Sequence, residues 1–220
     1  MTLEADLRSV GIIPVVALDR AEDALPLVDA LSAGGLPCAE ITFRTAAAAA
    51  AIGAIRAHRP GVLIGAGTIL TIAQADAAIE AGASFLVAPG FNPVVVRHSL
   101  DRGMPIVPGV CTPSEIEQAL GFELTLLKLF PAGPIGGPAY IKALTGPYPM
   151  VRFVPTGGIT IANMGEYLAI QQVAACGGTW LTRAEMIRAG DFAGVQALAS
   201  EAVSAVRDAR GDVATAKMTP

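Results

Sequence analysis

Charge is what this 220-residue sequence has least of: 15% of its residues are Asp, Glu, Lys or Arg, against about 25% in an average soluble domain. Lysine is scarcer still. Of 15 basic residues only three are lysines, Lys128, Lys142 and Lys217. With a formal net charge of −4 and a pI of ≈ 5.2, the chain lacks the basic surface that nucleic acid or an anionic membrane would need as a main partner. Cysteine is also sparse: Cys38, Cys111 and Cys176 are odd in number, widely spaced and set in apolar segments. That excludes a disulfide framework or a CxxC metal site and reads as reduced core thiols of a cytoplasmic protein.

Long hydrophobic runs are missing despite an apolar content of 53%. The longest charge-free stretches are 16 residues, for example Pro60 to Ala75, and Gly or Pro interrupts them. A membrane helix needs about 18 to 20 apolar residues in a row, so none is expected. The N-terminal MTLEADLRSVG carries acids early and no basic cluster before an apolar block, so no signal peptide is expected. The apolar content excludes disorder and suggests that other subunits cover part of the surface.

What the chain does have is alternation. Eight apolar runs recur to its end: GIIPVVAL (11–18), CAEITF (38–43), VLIGAGT (62–68), SFLVAPG (84–90), MPIVPGV (104–110), LTLLKLFP (124–131), VRFVPTGG (151–158) and VAACGGT (173–179). Each is short, rich in Val, Ile and Leu, and mostly continuous, which is how strands buried on both faces of a parallel sheet read. Helical patterns fill the gaps: Thr45–Arg59 with Thr45 as its cap, Thr71–Ala81, Asn92–Arg102, Pro113–Leu120 with Thr112 and Glu115 as a capping box, and Asp191–Arg210. Pro26 falls inside the first helical pattern and is expected to kink it. Eight such units leave no room for a second domain. The expectation is an α/β fold, a single (β/α)8 TIM barrel over 1–220 with a frayed 211–220 tail. A doubly wound sheet is the rival, but no GxGxxG follows the first run.

Such barrels carry their active sites at the C-terminal ends of the strands, so polar residues inside or just after the apolar runs matter most. Lys128 stands among leucines in LTLLKLFP, with two residues between it and the proline that ends the run. In an apolar wall a lysine must find a partner or lose its proton, and a neutral amine is what a Schiff-base nucleophile requires. The alternative is a lysine paired to a carboxylate as architecture; a single lysine in the lining favours catalysis. Glu40, inside AEITF, either neutralises Lys128 or Arg44 or moves protons for carbonyl chemistry. Arg44 and Thr68 close successive runs and read as a rim salt bridge and a helix cap. On the same barrel end as a buried lysine, they suggest instead a pocket for an α-keto acid. Thr156-Gly157-Gly158 and Gly177-Gly178-Thr179 follow the seventh and eighth runs, where barrels of this kind place phosphate. Helices starting near Ile159 and Arg183 would add their dipoles. Phe130 and Trp180 are candidates for lining the pocket.

Other candidates fail. His58 and His98 have no metal-ligand partners at suitable spacing, no strand end carries an Asp/Glu/His cluster, and GxSxG is absent. Cys111 lacks a histidine base and reads as packing.

On EITFRT (40–45), IGAGT (64–68), APG (88–90), PGV (108–110), KLFPA (128–132), PTGGI (155–159) and GGTWL (177–181), the chain resembles the 2-keto-3-deoxy-6-phosphogluconate (KDPG) aldolase family from about Gly11 to Ala209. The resemblance implies a metal-free, cofactor-free class I aldolase, typically a homotrimer, splitting KDPG into pyruvate and glyceraldehyde 3-phosphate. It implies Lys128 as the Schiff-base lysine, Glu40 as the proton shuttle and Arg44 with Thr68 as the carboxylate grip. Gly157, Gly158 and Thr179 would bind phosphate, with threonine where the family has serine, and Pro89, Phe130 and Thr156 would line the pocket. FRT favours the gluconate substrate, while GGPAYIKAL (136–144) is similar to galactonate-type relatives. Aldolases for 2-keto-3-deoxy-6-phosphogalactonate or 4-hydroxy-2-oxoglutarate, and a non-catalytic phosphosugar-binding barrel, are the alternatives.

Overall fold

A computed structural model describes residues 2–216. The chain is an α/β fold of parallel strands and covering helices. A helix not foreseen from the sequence, α1 (Leu3–Val10), precedes everything; Thr2 accepts a hydrogen bond from the Ala5 N–H, Gly11 ends it in the left-handed region and Leu7 is buried. In chain order there follow β1 (Ile12–Val16), α2 (Ala24–Ala33), β2 (Cys38–Thr42), α3 (Ala48–His58), β3 (Leu63–Gly67), α4 (Ile72–Glu80), β4 (Phe85–Val87) and α5 (Pro93–Asp101). Then come β5 (Ile106–Val107), β6 (Gly109–Val110), α6 (Pro113–Leu120), β7 (Leu126–Leu129), α7 (Gly137–Thr145), β8 (Arg152–Pro155), α8 (Met164–Leu168), β9 (Cys176–Gly178), α9 (Ala184–Arg188) and α10 (Phe192–Ala216). Every apolar run contains a strand, and β1 and β2 are buried at every residue, as continuous apolar runs require.

The strands form two parallel ladders, β5-β4-β3-β2-β1-β9 and β6-β7-β8, not one eight-stranded ladder. Pro108 accounts for the split: it has no N–H to donate, and it divides the fifth run into β5 and β6. The two ladders adjoin at their other ends, where single bridges pair Phe153 with Val173 and Thr156 with Gly177.

Four helical expectations need correction. Thr45 does not cap α3, whose N-cap is Ala47; its hydroxyl donates to the Leu18 carbonyl oxygen at 2.5 Å. Pro26 causes no interruption, because it lies in the first turn of α2, where the N–H groups have no intrahelical acceptor to lose. The helices after the seventh and eighth runs start at Met164 and Ala184 and are five residues long, so none begins at Ile159. The last helix runs past Arg210 to Ala216, over residues expected to fray, and 217–220, with Lys217, lie outside the described residues. The Thr112–Glu115 capping box forms as expected, and Thr71 and Asn92 cap α4 and α5. Among the described residues no helix is long and apolar enough to cross a membrane.

Candidate active site

Parallel register decides which side chains meet. Lys128 on β7 stands opposite Gly109 on one side and Val154 on the other, and Glu40 on β2 stands between Val15 and Gly65. Both charged side chains are driven inward by the apolar strands that carry them, leaving Lys128 5% and Glu40 2% exposed. Lys128 Nζ lies 3.6 Å from Glu40 Oε1, an ion-pair distance too long for a good hydrogen bond. Glu40 Oε1 accepts no hydrogen bond from any described residue. An unpaired buried acceptor costs about 1–3 kcal/mol, and more when charged. Beneath Glu40 on the same strand, burial pushes the Cys38 thiol up to about 12, helped by the charge of Glu40. Burial also raises the Cys176 thiol. Neither is a nucleophile at neutral pH.

Arg44 and Thr68 do come together. The Arg44 Nε donates to Thr68 Oγ1 at 3.4 Å. Among the described residues Arg44 pairs with no carboxylate, and Thr71 is the residue that caps α4, so neither the rim salt bridge nor the helix cap holds. Thr68 sits in the left-handed region at φ 59°, which costs a non-glycine residue about 1–2 kcal/mol. Such strain persists where the surroundings impose it, and it clusters at functional sites.

The segments after β8 and at the end of β9 are glycine-built. Gly157 and Gly158 have φ of 91° and 80°, and their carbonyl oxygens are occupied: Gly133 N–H donates to Gly157 O at 2.8 Å, and Asn163 Nδ2 donates to Gly158 O at 2.9 Å. Among the described residues no protein acceptor takes the N–H of Gly158 or Thr179. A cluster of free N–H groups with few side chains in the way suits an oxyanion. Thr179 is exposed, two residues past Gly177, which pairs with the buried Thr156. Phe130 lies between Lys128 and the glycine loop. Its ring centroid is 5.5 Å from Lys128 Nζ, and a Cβ at Gly157 would lie 3.2 Å from its Cε2 atom. Pro89 belongs to the loop that crosses Gly109, the register partner of Lys128. The Trp180 ring folds over Gly178.

His98 is satisfied by Asp76 at 2.8 Å, and His58 by the Ala54 carbonyl oxygen at 2.9 Å. Among the described residues no cluster of three His, Cys, Asp or Glu residues could hold a metal ion. Two contributors escaped the sequence reading: Gly133, which orients the glycine loop, and Gly67, which lies against Glu40. Gly67 lies inside the motif IGAGT, and Gly133 directly follows KLFPA.

The family model described as "KDPG and KHG aldolase" matches residues 3–198. The 2-dehydro-3-deoxy-phosphogluconate aldolase of Treponema pallidum is 52% identical over 206 residues, 94% of this chain and 98% of that protein. That of Haemophilus influenzae is 46% identical over 201 residues, 91% of this chain and 95% of that protein. Among solved structures, the KDPG aldolase of Legionella pneumophila, with pyruvate captured as a covalent carbinolamine, superposes with a TM-score of 0.87. It is 36% identical and covers 90% of this chain and 97% of its own.

Proposed function

Because the chain belongs to the KDPG and KHG aldolase family, we propose that it is a class I aldolase cleaving KDPG reversibly to pyruvate and D-glyceraldehyde 3-phosphate through a Schiff base on Lys128. The observation that carries this reading is the buried Lys128–Glu40 pair at 3.6 Å with Oε1 unbonded. The Lys128 amine attacks the C2 ketone, and loss of water from the carbinolamine gives an iminium. Glu40 takes the C4 hydroxyl proton as the C3–C4 bond breaks, and the bonding electrons pass into the iminium to leave an enamine and the aldehyde. Glu40 returns the proton to C3, and water releases pyruvate from the lysine. The iminium is the electron sink, so the steps call on neither metal nor cofactor.

The other residues hold the two ends of the substrate. Arg44 and Thr68 take the carboxylate, in the geometry that guanidinium and hydroxyl donors favour. The N–H groups of Gly157 and Gly158, with Thr179, take the phosphate, and Pro89, Phe130 and Thr156 line the space between. The free N–H groups of Gly158 and Thr179 favour a phosphorylated substrate over 4-hydroxy-2-oxoglutarate, and FRT favours the gluconate over the galactonate epimer. We read the two ladders as one closed (β/α)8 barrel forming a single domain, since β5 and β6 are consecutive and bridges join β8 to β9. A cytoplasmic homotrimer fits the low charge and the exposed Leu70, Ile72, Val94 and Met150.

Incubation with pyruvate and borohydride, followed by mass spectrometry, tests the chemistry. The expected result is an N-carboxyethyl adduct on Lys128, absent from Lys128→Ala, with cleavage that survives EDTA. A wild-type protein that binds pyruvate without an adduct would be the non-catalytic barrel. Rates on KDPG, its C4 epimer and 4-hydroxy-2-oxoglutarate rank the substrates.

A further inference from the structure

Gly67 ends β3 and pairs with Thr42, two residues beyond the Glu40–Gly65 pair. Its φ lies outside the left-handed region, so its backbone would accept any L residue. What it cannot accept is a side chain. A Cβ there would lie 2.7 Å from both Cγ and Cδ of Glu40 and nearer still to Oε1, and these are its three nearest neighbours. Carbon atoms pack comfortably at about 3.5–4.0 Å, so the carboxyl group would have to withdraw by about 1 Å.

The surroundings leave little choice of direction. Gly65, two residues earlier and on the same face by strand periodicity, is filled by Phe85: a Cβ there would lie 2.5 Å from the ring Cε2. The two glycines of IGAG therefore make room for different things, one for a ring and the other for an acid. On either side of Glu40 along β2, Cys38 and Thr42 are fully buried, and the Thr42 hydroxyl is committed to the Val16 carbonyl oxygen at 2.9 Å. A carboxyl group pushed off Gly67 moves either onto Lys128 Nζ or out of reach of it. The first tightens the ion pair and holds the amine as ammonium; the second leaves the C4 hydroxyl without its base.

We infer that Gly67 is a positioning residue for the aldol reaction: the absence of a side chain there is the space in which the Glu40 carboxyl group sits, and it sets the 3.6 Å separation from Lys128. The inference rests on the reading of Glu40 as the proton shuttle.

Exchange of the pyruvate methyl hydrogens with D2O, followed by NMR, isolates enamine protonation from aldol cleavage. Glu40→Gln should slow exchange on the order of 100-fold, the low end of general acid–base contributions. Gly67→Ala should slow it at least about 10-fold, while the pyruvate concentration that half-saturates borohydride trapping on Lys128 stays within about 3-fold of wild type. Combining Gly67→Ala with Glu40→Gln should cost less than about 3-fold beyond Glu40→Gln alone, because both changes act through one group. Gly65→Ala, crowded against Phe85, should lower Tm yet leave the exchange rate of folded protein unchanged. If Glu40→Gln retains exchange, the reading of Glu40 is wrong. If Glu40→Gln loses exchange while Gly67→Ala keeps it, or the two losses multiply, the role of Gly67 is wrong. If Gly67→Ala does not fold, Glu40→Ala should restore folding by vacating the space, and failure to do so overturns the inference.

Discussion

Replacing Lys128 by methionine keeps an unbranched side chain one atom shorter and deletes its charge. It leaves the Glu40 carboxylate 2% exposed with no cation beside it. Breaking a buried pair from one side costs about 3–5 kcal/mol, because the abandoned charge keeps its desolvation penalty. For a chain of this size 1 kcal/mol moves Tm by about 2–4 °C, so Lys128→Met should melt about 6–20 °C lower. The double variant Lys128→Met/Glu40→Met removes both charges, and apolar replacement of a whole buried pair is usually neutral or stabilising by about 1–4 kcal/mol. It should therefore recover most of the loss. Arg59 and Asp29 supply the contrast. Their contact is much shorter, 2.6 Å, but both side chains are nearly half exposed, so Arg59→Met should cost less than about 1 kcal/mol. Scanning calorimetry at a matched scan rate measures all four proteins, and both Lys128 variants should lack aldol activity. A Lys128→Met protein within about 3 °C of wild type, or a double variant no more stable than the single, would refute the reasoning. The outcome expected marks the pair as one retained for chemistry at the expense of stability.

Thr68→Gly removes the left-handed strain and the hydroxyl together: Tm should stay within about 2 °C of wild type or rise, while half-saturation by pyruvate weakens at least about 10-fold as a charge-assisted contact is lost. Thiol titration at pH 8 should find one reactive group, Cys111, in the native protein and three after denaturation. Burial holds the Cys38 thiol up to about 12 and raises that of Cys176, so neither is thiolate at that pH; a second fast native thiol contradicts the burial. Gly178→Ala forces the Trp180 ring off the strand, since a Cβ there would lie 2.6 Å from its Cε3 and Cη2 atoms. Overpacking of this kind costs about 1–3 kcal/mol. Because Trp180 is the only tryptophan, its emission reports the displacement directly, and an unchanged spectrum removes the claim.

The strands were legible because a buried parallel sheet leaves no polar face, so eight continuous apolar runs could be little else. Helix starts were less so. Thr45 has the chemistry of a cap, but the Leu18 carbonyl oxygen lies within reach of its hydroxyl and takes it, a competition between elements 27 residues apart in sequence that local pattern does not contain. Proline at 26 looked like a breaker only because the start of α2 was unknown. The division of the sheet at Pro108 needed the register on both sides. Lys128 and Glu40 were conspicuous for the opposite reason: each is a charge inside an apolar run, which a fold tolerates only for a partner or a purpose.

The glycines mark the boundary of what residue identity can say. Gly157 and Gly158 are glycines for their backbone, with φ of 91° and 80°. Gly65 and Gly67 have ordinary backbones and are glycines for what leans on them, an aromatic ring and a carboxyl group. In the one-letter sequence the two kinds are identical, and they separate only when register brings Phe85 opposite Gly65 and points the Glu40 side chain across to Gly67. They also respond differently to compensation. Truncating a neighbour cannot relieve a left-handed φ, whereas truncating Glu40 opens the space at 67 completely. The place of the Glu40 carboxyl group is thus specified twice: by the acid itself, which a sequence displays, and by an absent side chain on the next strand, which it conceals.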